Sequence, residues 1–141
     1  MVKVGVRMPA TVSDAGDFLA NVRALESAGA ALITVEADAE DLWVVLAAIA
    51  VATERVGLLA TEPAPLSLRA LGRGRLVTRT PDQEAWVEVA LPADRAGWAS
   101  MLGEKEKAGV TGVVVPWDPR LIDLLRNPEP DDRSDLLMST G

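Results

Sequence analysis

The 141-residue chain contains neither cysteine nor histidine. Without cysteine there is no disulfide, no thiol nucleophile and no thiolate metal site, and redox chemistry says nothing about the compartment. Without histidine the commonest general base, the commonest metal ligand and every serine-histidine arrangement are gone. Catalysis would fall to carboxylates, Arg, Lys, hydroxyls or a cofactor, and no metal site is expected. Positive charge is scarce as well, with 14 Lys and Arg against 21 Asp and Glu and a formal net charge of −7. The cations are scattered, which leaves no electrostatic footprint for nucleic acid or an anionic membrane. Long apolar runs are missing too. The longest uncharged apolar stretch covers 42–53, short of the 18 or more residues a spanning helix needs. Lys3 and Arg7 interrupt any apolar core of a signal peptide, so a cytoplasmic location is expected.

What is present is a regular alternation of two hydrophobic periods. Val2, Val4, Val6 and Met8 alternate with Lys3, Gly5 and Arg7 until Pro9, the pattern of a strand. Asp14 is placed to cap a helix carrying Phe18, Leu19, Val22 and Leu25 at helical spacing, with Gly29 as its stop. A strand over 32–37, a helix over 41–55 capped by Asp41 and a strand over 56–61 follow. This βαβαβ order predicts parallel strands with right-handed crossovers. A short helix fits 66–71, and strands are expected over 75–80 and 85–91. Four residues between those two strands are too few for a crossover, which predicts an antiparallel hairpin. A helix over 94–107, a strand over 112–116 rich in valine and a last helix over 119–126 complete the pattern. One domain over 1–126 with a loosely ordered tail over 127–141 is the expected organisation; Leu136, Leu137 and Met138 are candidates to dock.

Several of these segments resemble the bacterial luciferase-like monooxygenase superfamily of flavin- or F420-dependent TIM-barrel oxidoreductases. The resemblance lies in strand 2–6 with helix 17–30, in the run 41–58 that contains Thr53-Glu54-Arg55-Val56-Gly57, in Leu71-Gly72-Arg73-Gly74-Arg75-Leu76-Val77, and in 105–115 with 121–125. It implies a reduced barrel of about six strands, mostly parallel with one antiparallel hairpin strand, and helices on the outer face. A complete (β/α)₈ barrel takes about 250 residues, so the middle units are absent. The expected strand order is 3-2-1-6-5-4, with the fourth strand also placed to close back on the third. By resemblance, FMN or F420 is the cofactor and a small organic molecule the substrate. The chain departs from the family where the histidine-bearing loop is replaced by 36–40 and where Leu91-Pro92-Ala93-Asp94 stands at the phosphate-binding turn.

Functional sites of parallel α/β sheets lie at the C-terminal strand ends. The residues there are Arg7, Glu36, Thr61, Glu62, Trp117 and Asp118, the candidates for a ligand pocket. Glu36 and Glu62 suit a paired acid and base, Arg7 an anion clamp and Trp117 a stacking surface; alternatively Arg7 bridges Glu36 or Glu62 as a structural ion pair and Trp117 packs. If Val2, Val4 and Val6 face the helices, then Lys3, Arg7, Thr34, Glu36 and Glu88 share the other sheet face. Trp43, Trp86 and Trp98 are read as packing residues, and Gly72-Arg73-Gly74-Arg75 lacks the following helix that a phosphate loop requires. Helix 41–55 is apolar all round, which predicts a homodimer through Leu42, Val45, Leu46 and Ile49. Two functions follow: an oxidoreductase of the resembled group, or a non-catalytic relative serving as a dimeric binding module. No catalytic residue is assigned.

Overall fold

The computed structural model describes residues 1–9, 12–36, 39–60, 64–78 and 86–127. Its strands are β1 (Lys3–Met8), β2 (Leu32–Val35), β3 (Gly57–Ala60), β4 (Leu76–Thr78), β5 (Trp86–Glu88) and β6 (Gly112–Pro116). Its helices are α1 (Ala15–Ala28), α2 (Ala39–Ala52), α3 (Leu66–Gly72), α4 (Arg95–Lys107) and α5 (Arg120–Arg126). The strands form one curled, half-barrel sheet in the order β4-β3-β2-β1-β6-β5, with every described pairing parallel.

The alternation in β1 sets the two faces. Val4, Val6 and Met8 point to one side with Ile33 and Val35, Leu58 and Ala60, and Val113 and Val115, and all five helices pack on that side. Phe18, Val22 and Leu25 of α1, Leu46 and Ile49 of α2, and Trp98 of α4 fill the space between. The helix boundaries follow from local chemistry. The Asp14 carboxylate accepts the Asp17 amide at 2.9 Å, and Gly29 takes a left-handed φ of 109° at which a side chain would be strained. Asp94 accepts the Gly97 amide at 2.7 Å in the same way.

The expected antiparallel hairpin is corrected. β4 pairs in parallel with β3, and β5 in parallel with β6, so the two strands lie on opposite edges of the sheet. The four-residue argument applies only to strands that pair with each other. β4 is instead the end of a β3-α3-β4 unit whose helix supplies the crossover. Seven residues, 79–85, separate β4 from β5, and they lie outside the described residues, as do the tail residues 128–141.

Candidate functional site

The C-terminal edge of the sheet brings Arg7, Glu36, Trp117 and Asp118 to one end of β1, β2 and β6, while Thr61 and Glu62 lie outside the described residues. Arg7 sits opposite Thr34 of β2 and Pro116 of β6. Its guanidinium does not pair with Glu36. It forms an ion pair with Glu88 of β5, two strands away. Inward side chains of a curled sheet stack in layers drawn from alternate strands, so the Arg7 side chain reaches across β6 rather than to its immediate neighbour. The alternation puts Glu88 on this face and the expected order 3-2-1-6-5 puts its strand two places from β1; what the sequence does not carry is which of the carboxylates on that face the Arg7 guanidinium meets. The Glu36 carboxylate, exposed at the end of β2, makes no hydrogen bond or ion pair among the described residues.

Trp117 is half-buried and packs against the helix-side core, with its amide donating to the Arg7 carbonyl at 2.9 Å. Asp118 organises the start of α5. Its carboxylate accepts the Arg120 amide at 2.9 Å and Arg120 Nε at 3.2 Å, and these bonds hold its pKa below the usual carboxylate value. Arg120 also donates to the carbonyls of Ala93 at 2.7 Å and Pro92 at 3.3 Å. The turn 91–94 is therefore tied to α5, and the N-terminal amide Gly97 of α4 is already occupied by the Asp94 carboxylate. An anion at that helix end would meet a carboxylate.

The other face of the sheet carries a feature that sequence reading missed. The Trp86 ring lies over Gly5 and Gly112. A Cβ built on Gly112 would stand 2.5 Å from ring atoms Cε3 and Cζ3, and one on Gly5 would stand 3.2 Å from Cζ3. Both glycines are there because the ring occupies the volume of a side chain. Leu32, Leu59 and Val114 are buried on the same face. Trp43 and Trp98 pack in the helix-side core, Trp98 completely buried with its Nε1 unpaired.

The motif Gly72-Arg73-Gly74-Arg75 is a clamp. Every Arg75 donor is used. Nε donates to Gly72 O (3.0 Å), Nη1 to Thr53 Oγ1 (2.8 Å) and Val56 O (3.1 Å), and Nη2 to Ala50 O (2.7 Å) and Thr53 O (3.2 Å). Gly72 O is at the end of α3; the other acceptors belong to the end of α2 and the turn after it, which has carbonyls without helical partners. Arg73, at φ 49°, adds a bond to Thr53 O at 3.1 Å. The guanidinium of Arg75 thus has no donor left for a phosphate.

The same turn is held from the other side by Glu26 of α1, whose carboxylate accepts the amides of Glu54 (3.0 Å), Arg55 (2.7 Å) and Val56 (2.8 Å). Burial raises the Glu26 pKa, but the three amide bonds and the Arg55 charge outweigh it and leave the value below that of an ordinary glutamate. A carboxylate whose folded pKa is depressed adds stability that is present above the unfolded-state pKa and lost as pH falls through the folded value. Glu26→Gln is expected to cost about 1–3 kcal/mol at neutral pH, the range of hydrogen bonds to a charged group. Urea titrations from pH 7 down to pH 3 should show the gap between wild type and variant closing in acid; a gap that stays constant with pH would contradict this role.

Among the expected dimer residues, Leu42, Leu46 and Ile49 lie inside the core beneath α2, and Val45 is half-buried against it. The buried stripe runs 42, 46, 49, 50 and 53, a helical spacing that an all-apolar helix conceals. The surface of α2 consists instead of Asp41, Val44, Ala48 and Val51. Beside it a groove of about 420 Å³ runs between α1, α2 and α3, lined by Leu19, Arg23, Ala47, Ala48, Val51 and Leu71 among others.

No protein-family model, no curated protein and no solved structure matches the chain. Among the described residues no group of three or more acidic, histidine or cysteine side chains is placed to hold a metal ion, and no helix is long and apolar enough to cross a membrane.

Proposed function

We propose that the chain is a non-catalytic binding module whose working surface is the apolar face of α2 and α3. One observation carries this reading. Of the large hydrophobic side chains exposed among the described residues, Val44, Val51, Leu66 and Leu71 lie on these two adjacent helices, and only Met1, Val12 and Val77 lie elsewhere. Val51 and Leu71 line one groove between the helices, and exposed apolar surface gathered in this way marks an interaction surface. The strand-end residues support the same reading: Arg7 is neutralised by Glu88, Asp118 holds Arg120, and Asp94 occupies the α4 terminus. A homodimer is the simplest assembly such a surface serves.

A second reading, a flavin- or F420-dependent oxidoreductase acting on a small organic substrate, is supported by the motif resemblance of 17–30 and 41–58 together with the parallel, helix-backed half-barrel. Titration of the purified protein with FMN, FAD and F420 separates the two. The binding-module reading expects colourless protein whose tryptophan emission stays unchanged. Co-purified visible absorbance, or saturable quenching at micromolar cofactor, would establish the second reading in its place.

A further inference from the structure

We draw no further inference here: the strongest candidate, the apolar groove between α1, α2 and α3 with the exposed Val44 and Leu66 beside it, is an unpartnered face, and nothing in the structure shows what covers it.

Discussion

Arg75→Ala is expected to destabilise the protein by about 3–5 kcal/mol, a large share of the 5–15 kcal/mol that holds a domain of this size folded. The reason is the count of acceptors that one guanidinium serves. Five N–H bonds end on Gly72, Thr53, Val56 and Ala50, and Thr53 is itself buried, its hydroxyl donating back to Ile49 O at 2.6 Å. Truncation leaves the Ala50 and Val56 carbonyls without this donor in a half-buried site, and Thr53 O with Arg73 alone. Such orphaned groups cost more than the made bond contributes. Arg75→Lys keeps the charge but offers three donors on a flexible stem in place of a planar fork, and should lose about half as much. In thermal melts the alanine variant should fall by about 10–15 °C, given roughly 3 °C per kcal/mol for a chain of this length. A lysine variant within 0.5 kcal/mol of wild type would show that charge alone matters there and would sink the clamp.

Gly112→Ala should also destabilise, by about 2 kcal/mol, although replacing glycine by alanine in a strand is ordinarily favourable. The new Cβ would stand 2.5 Å from two atoms of the Trp86 ring, so the ring must leave its seat. Its displacement should change the near-ultraviolet circular dichroism that a fixed indole produces. The same methyl group added at Gly5, 3.2 Å from the ring, should cost less. In the background of Trp86→Ala the penalty at Gly112 should disappear, giving a coupling of about the full 2 kcal/mol between the two positions. If Gly112→Ala is equally damaging with and without the ring, the strand rather than the tryptophan demands glycine there.

Strand and helix positions were legible because their signals are local. Alternation in 2–8, Asp14 and Asp94 as caps and Gly29 as a stop each work within a few residues, and the structure has β1, the two caps and the left-handed glycine where they were expected. The run 3-2-1-6-5 of the expected strand order is also the observed one; what was not legible is the place of the fourth strand and the choice of long-range partners. The antiparallel hairpin came from treating β4 and β5 as neighbours, and the expected pairing of Arg7 with Glu36 or Glu62 looked to the β2–β3 side of β1, whereas Glu88 lies on the β6–β5 side. The roles of Arg75 and Glu26 were hidden for a related reason. Apart from Gly72 O and the Thr53 hydroxyl, their partners are backbone groups 19 to 30 residues away, and backbone carries no residue-type signal. For α2, the uniformly apolar composition erased the contrast between inside and outside, so Leu42, Leu46 and Ile49 were read as surface when they are core.

The position of β1 beside β6 has a consequence in time. Every other neighbouring pair in the sheet joins consecutive strands, β1 through β4 in one run and β5 with β6 in another. The β1–β6 pairing instead matches Lys3 with Gly112, more than a hundred residues apart, where Gly5 and Leu32 of the β1–β2 pair are separated by about a quarter of that. Two doublings of loop length add about 1.2 kcal/mol of closure entropy. During synthesis the first four strands can assemble while one edge of β1 waits for β6, the last of the described strands to emerge. The seam between β1 and β6, with three strands added on one side and one on the other, is therefore the last to close, and until it does, that edge of β1 is exposed.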